Sequence, residues 1–189
     1  MADGPVHPEH VFLIEGARSY PKALSALREF RSLVVDRCRT ALESELENVS
    51  QAMGVIIRPV NIVDYRRPEK PDTSDGQSAS LGVRVDREVE GWWFYHTVYW
   101  YKGEVGIGCS LWLRDKSTAQ DAVNELKRTN AGLFEITLEE GHEVCLSRGL
   151  LPDDMQVLED LLVELLRQWA KLWKEAGTLT RFSAKSAEA

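Results

Sequence analysis

The sequence predicts an α+β protein, an antiparallel sheet of about five to six strands flanked by a long N-terminal helix, a short middle helix and a long C-terminal helix. Three observations predict it. From Ser19 to Gly54, apolar residues recur at three- and four-residue steps. Residues 91–114, "GWWFYHTVYWYKGEVGIGCSLWLR", alternate as a hairpin and hold half of the aromatic residues of the chain. From Leu151 to Ala176, apolar steps alternate four and three.

The first helix reads from Ser19 to Gly54. Pro21 suits its first turn, Gly54 suits a left-handed C-cap, and Leu24, Leu27, Phe30, Val34, Cys38, Ala41, Leu42, Val49 and Met53 make its stripe. "VIIRPVNIVDY" follows, rich in β-branched residues, with Pro59 arguing for an edge or broken strand. "RRPEKPDTSDGQSAS" is too polar to bury anything and reads as a disordered loop over residues 66–80. "LGVRVD" then restarts the sheet. Residues 1–18 read as a flexible N-terminus, 19–177 as a single domain and 178–189 as a flexible tail.

In the aromatic hairpin, a two-residue loop at Lys102-Gly103 fixes the register. Trp92, Phe94, His96, Val98 and Trp100 then oppose Leu113, Leu111, Cys109, Ile107 and Val105 on an almost wholly apolar face. On the other face Trp93, Tyr95, Thr97, Tyr99 and Tyr101 oppose Trp112, Ser110, Gly108, Gly106 and Glu104, so large rings lie over glycine or serine. Ser117 with Gln120 makes a capping box for the middle helix. A second hairpin, "LFEITLEEGHEVCLSRGLL", turns through a three-residue loop at Glu139-Glu140-Gly141, which keeps Phe134, Ile136 and Leu138 on one face with Val144 and Leu146. The last helix starts at Pro152, with Asp153 and Asp154 in its first turn, and ends at Gly177. Its stripe is broader than a coiled-coil seam, which favours packing on the sheet.

Composition narrows the function. A net charge of −7 and 28% charged residues draw the chain as a whole to neither nucleic acid nor an anionic membrane, so nucleic acid is disfavoured as a direct ligand. No segment approaches the ~20 apolar residues that would span a bilayer. Three widely spaced cysteines, Cys38, Cys109 and Cys145, fit buried thiols in a cytoplasmic protein. His96 and Cys109 are cross-strand neighbours, but on an apolar face with no third orienting residue they read as a core pair. His7, His10, His142 and Cys145 have no metal-ligand spacing. The lone Glu-x-Lys, Glu125-Leu126-Lys127, lies on a helix rather than on the strands a metal-dependent nuclease needs. No cofactor, metal or catalytic residue is therefore expected. The alternative, a small hydrolase or metal-dependent nuclease subunit, requires acids such as Asp64, Asp86, Glu88 or Glu135 to converge with a lysine or histidine.

The candidate site is the aromatic face of Trp93, Tyr95, Tyr99, Tyr101 and Trp112, because tyrosine and tryptophan bury much area at little rotamer cost and keep a polar handle. Two readings of it stand: cover by the long first helix, or an interaction surface. The helix ending in "NELKRTN", the hairpin "LFEITLEEGHEVCLSRGLL" and the helix "PDDMQVLEDLLVELLRQWAKLW" are similar in order to the type III secretion chaperone-like fold. That resemblance spans residues 117–176. It implies a non-enzymatic protein that binds a protein partner, a second copy, or both, and it carries over no binding residue.

Overall fold

The computed structural model describes residues 8–67, 79–85, 92–101, 104–129 and 134–176. Four helices and six strands follow one another as α1 (Pro8–Ser44), α2 (Leu46–Met53), β1 (Ile62–Arg67), β2 (Ala79–Val85), β3 (Trp92–Tyr101), β4 (Glu104–Leu113), α3 (Lys116–Thr129), β5 (Glu135–Glu139), β6 (Glu143–Gly149) and α4 (Leu158–Glu175). The sheet is antiparallel throughout, in the order β1-β2-β3-β4-β6-β5. This is the α+β class the periodicities predict. By its contacts the chain divides into two compact units, Met1–Leu33 and Val34–Ala189. In the first, the described residues belong to α1 alone. Ser19 Oγ donates back to the Glu15 carbonyl at 2.8 Å, and Tyr20 is exposed.

The helix boundaries differ from the periodic reading in two places. Helix α1 begins at Pro8, so Pro21 sits inside it and supplies no N–H there, rather than opening its first turn. The helix also breaks at Glu45, whose backbone leaves helical geometry (φ −108°, ψ 14°). The Glu45 side chain is 4% exposed and accepts from Arg167 of α4 at 2.8 Å and from Asn48 at 2.7 Å. A buried carboxylate is ordinarily paired, and helix periodicity carries no trace of these partners. Gly54 caps α2 in the left-handed region (φ 64°), as its position predicts.

Within Val34–Ala189 the molecule has two layers. All ten expected pairs of β3 and β4 form, from Trp92 opposite Leu113 to Tyr101 opposite Glu104; the loop residues Lys102 and Gly103 lie outside the described residues. The first face of the hairpin is core: Phe94, His96, Val98, Ile107, Cys109 and Leu111 are each at most 2% exposed. Helix α4 lays Trp169 against Phe94, with ring centroids 4.6 Å apart, and Trp169 against Trp173 at 5.8 Å. Helix α3 buries Ala119, Ala122, Val123 and Leu126, and Leu126 lines a small cavity with Ile136, Val144, Leu146, Trp169 and Trp173. Helix α1 buries Val34, Val35, Cys38, Ala41 and Leu42, while its Arg39 donates to the Ile62 carbonyl at 2.9 Å and pairs with Asp64 at 2.8 Å. These helix contacts all fall on one side of the sheet.

The remaining elements refine the sequence reading. Pro59 lies in a 3-10 turn, Pro59–Asn61, ahead of β1, which is an edge strand. Strands β1 and β2 extend into the expected 66–80 loop as far as Arg67 and from Ala79, and residues 68–78 lie outside the described residues, as do the tail 178–189 and the expected cap Gly177. Asp115, not Ser117, caps α3: its Oδ1 accepts from the Thr118 amide at 2.7 Å and the Ser117 hydroxyl at 2.6 Å. Those bonds hold the Asp115 carboxyl down at about 2. The β5–β6 loop is odd, as expected, but one residue further on. Leu138 faces Val144 and Ile136 faces Leu146, leaving Glu140 (φ 51°) and Gly141 (φ 76°) in the turn. Pro152–Val157 forms a 3-10 turn before α4, anchored by Asp154, which accepts from the Leu151 amide at 2.9 Å and pairs with Arg148 at 3.2 Å.

Candidate functional site

The second face of the sheet is built by strand parity. Every other residue of each strand points to it: Val63 and Tyr65 on β1, Gly82 and Arg84 on β2, Trp93 to Tyr101 on β3, Trp112 to Glu104 on β4, then Glu143, Cys145 and Ser147 on β6 and Glu135, Thr137 and Glu139 on β5. Trp93 is 39% exposed, and Tyr95, Tyr99 and Trp112 are half-buried. The fifth predicted residue, Tyr101, is placed by its pairing with Glu104; its side chain lies outside the described residues.

The rings meet in clusters. Trp93 and Trp112, directly opposite across the ladder, tilt at 43° with centroids 4.5 Å apart. Trp112 also stacks on His142 of the β5–β6 turn, at 5.3 Å and 23°. Tyr95 meets Tyr65 at 4.7 Å. Between the clusters runs a floor of small residues, Thr97, Gly108, Ser110 and Gly106. Tyr99 lies over that floor. A Cβ on Gly106 would overlap its Cζ and Oη, and one on Gly108 would touch its ring at 3.7 Å. The tyrosine shares a hydrogen bond with Ser147 on β6. Burial, which outweighs that bond, raises its hydroxyl above the ordinary value, and the charges of Glu139 and Glu135 add to the rise.

The sheet tolerates this arrangement because the glycines give room. At Gly82, between Tyr65 and Thr97, a Cβ would overlap the His96 carbonyl oxygen and lie 2.7 Å from Thr97 Cα. Here the obstacle is backbone, so no side chain at position 82 can be accommodated by a rotamer change.

His96 and Cys109 do meet, with Nδ1 3.1 Å from Sγ, but on the helix-covered face. Burial pushes the imidazole down to about 3, against a smaller upward pull from the Gly108 backbone, and the His96 Nε2 has no hydrogen-bond partner among the described residues. Burial also raises the Cys109 thiol well above its ordinary value, and drives Cys38 up to about 12. Near neutral pH both partners are uncharged, so the pair supplies neither thiolate nor imidazolium. Cys145 lies on the second face, its thiol raised by burial first and then by the nearby Glu143 and Glu139 charges.

Of the acids of the alternative reading, the two that lie among the described residues, Asp64 and Glu135, do not gather. Asp64 is taken up by Arg39, Glu135 is exposed on β5, and Asp86 and Glu88 lie outside the described residues. Among the described residues no three of His, Cys, Asp or Glu are placed to hold a metal ion, and His142 is engaged with Trp112 and with the Leu113 carbonyl at 3.0 Å. No described helix is long and apolar enough to cross a membrane.

Four residues of this face escape the sequence reading: Tyr65, His142, Glu143 and Ser147. The alternation Val63-x-Tyr65 signals only that Tyr65 shares a face with Val63. Its neighbour Tyr95 is fixed by two successive strand pairings, β1 with β2 and β2 with β3, that the sequence does not dictate. The odd loop puts Glu143 opposite the core face, but its place beside Trp112 depends on β4 pairing with β6, two elements away. No family model, curated protein or solved structure matches the chain.

Proposed function

We propose that this is a non-enzymatic cytoplasmic protein-binding module, a chaperone, immunity protein or accessory subunit, that engages its partner through the second face of its sheet. One observation carries the reading. The helix contacts of Val34–Ala189 fall on the first face, while the second bears four paired aromatic rings and a 39%-exposed tryptophan. Cross-strand aromatic pairs stabilise a sheet in themselves, and rigid amphipathic rings around small residues are also what an interface core requires. The resemblance in element order to the type III secretion chaperone-like fold supports the same class.

The test is the Trp93→Ala, Tyr99→Ala double variant, compared with wild type after gentle purification from the source cell. The expected result is a native secondary-structure spectrum with loss of a stoichiometric protein partner that wild type carries. Global unfolding of the variant would make the face part of the folding core. A folded variant that keeps the partner would remove the face from recognition.

A further inference from the structure

Among the described residues, carboxylates of low exposure hold either a cation or, as at Glu143 and at Glu164 with Gln168 of its own helix, a neutral donor. Glu45, 4% exposed, holds Arg167 at 2.8 Å, and Asp154, its side chain 16% exposed, holds Arg148 at 3.2 Å. Glu143 is half-buried too, yet among the described residues no cation pairs with it. Its partner is the Ser110 hydroxyl, which donates to Oε1 at 2.5 Å. A partly desolvated carboxylate without a counter-charge is costly, and proteins ordinarily pair it. Arg114 and Lys116, exposed just beyond β4, are the nearest cations in sequence to this end of the strand, and neither makes an ion pair among the described residues.

The surroundings of Glu143 specify what would pair with it. Trp93, Trp112, Glu143 and Glu139 occupy one row across four adjacent strands. Trp93 stands at the solvent side, Trp112 is braced by His142, and Ser110 orients the carboxylate. An indole wall, Trp93 and Trp112, therefore shares a row with an oriented acceptor. A guanidinium answers both features, since it stacks on an aromatic face and donates to a carboxylate in one plane. An ammonium would satisfy the charge but not the wall, and an anionic group would be repelled. The net charge of −7 draws a basic partner segment in the same sense.

We infer that the corner formed by Trp93, Trp112 and Glu143 receives an arginine side chain presented by the partner protein. The inference rests on the reading of the second face as the binding surface, and names the chemistry it recognises.

The experiment follows the indole N–H signals of the full chain by NMR during titration with a peptide of alternating arginine and glycine. The same peptide with citrulline in place of arginine serves as the uncharged control. The arginine peptide shifts the Trp93 and Trp112 signals and leaves Trp169 and Trp173 in place; the citrulline peptide shifts none. Glu143→Gln keeps the spectral dispersion of the folded chain and weakens binding roughly 10-fold or more, as loss of a charge-assisted bond requires. If that variant unfolds, Trp93→Leu takes its place with the same expected loss. Equal shifts with citrulline, unchanged binding by the variant, or Trp93 signals that move with protein concentration alone, which would mean a second copy on this face, each overturn the inference. If the peptide fails but Trp93→Ala, Tyr99→Ala still loses the native partner, the arginine receptor falls and the binding face stands. If the peptide binds and that variant keeps its partner, the binding face falls instead.

Discussion

Lowering the pH should unfold this protein through His96 before most of its carboxylates titrate. The imidazole is fully buried on the core face, with Nδ1 beside the Cys109 thiol and Nε2 unpartnered, and its folded value is about 3 against an ordinary 6.5. Between those values the unfolded chain takes up a proton at His96 that the folded chain refuses. Stability is therefore full above about pH 6.5 and falls as pH falls, by about 1.4 kcal/mol per pH unit until about pH 3. By pH 4.5 the loss is about 2.7 kcal/mol, a sizeable share of the roughly 5–15 kcal/mol that holds a domain folded. The assay must isolate this histidine from every other contribution to the acid slope by difference against a variant. Urea unfolding by tryptophan fluorescence at pH 7, 6, 5 and 4.5, for wild type and His96→Leu, isolates the histidine. The variant should lack the extra slope, so that the two stabilities converge or cross as pH drops. Parallel curves would refute the reasoning and mean that His96 is protonated or solvated in the folded state.

Further predictions separate backbone from side-chain constraint. Gly82→Ala should cost about 3 kcal/mol or more, because its Cβ meets the fixed His96 carbonyl. Gly106→Ala should cost about 1–2 kcal/mol, because the Tyr99 ring end can swing aside although the Arg148 carbonyl, 2.8 Å from the new Cβ, cannot. Urea midpoints for both, each alone and in a Tyr99→Ala background, should show strong non-additivity at Gly106 alone. Arg167→Ala strands the Glu45 carboxylate and should cost about 1–3 kcal/mol. Arg128→Ala breaks an exposed i,i+3 pair and should stay within about 0.5 kcal/mol. Thermal melts that ranked these two the other way would contradict the assignment of Glu45 as a buried, paired acid.

What could be read from the sequence was whatever depends on neighbours along the chain. The β3–β4 register follows from a two-residue loop and strict alternation, so all ten pairs, and the division into a His96 face and a Trp93 face, were readable in one line of sequence. The Gly54 cap is likewise a local consequence of glycine, whereas Pro59 lies in the turn ahead of β1 and takes no donor from that edge strand. What could not be read depends on partners distant in sequence. The residue at the break, Glu45, is paired with Arg167, 122 residues away, and the capping of α3 by Asp115 rather than Ser117 turns on which oxygen reaches the Thr118 amide. Within the candidate site the rings of β3 and β4 were visible, but Tyr65 and Glu143 arrive through strand pairings that no loop length dictates. That no cation among the described residues pairs with Glu143 could be seen only in the folded structure, beside the pairs made by Glu45 and Asp154.

The central claim is that the Trp93 face is open in the free chain and covered in a complex. Oxidative footprinting by mass spectrometry, on the recombinant chain alone and on the protein isolated with its native partner, tests it directly. Trp93, Tyr95 and Tyr99 should be modified in the free chain and protected in the complex, while Trp169 and Trp173, each 1% exposed, stay protected in both. Equal modification of Trp93 in the two samples, or protection of Trp93 already in the free monomer, would contradict it.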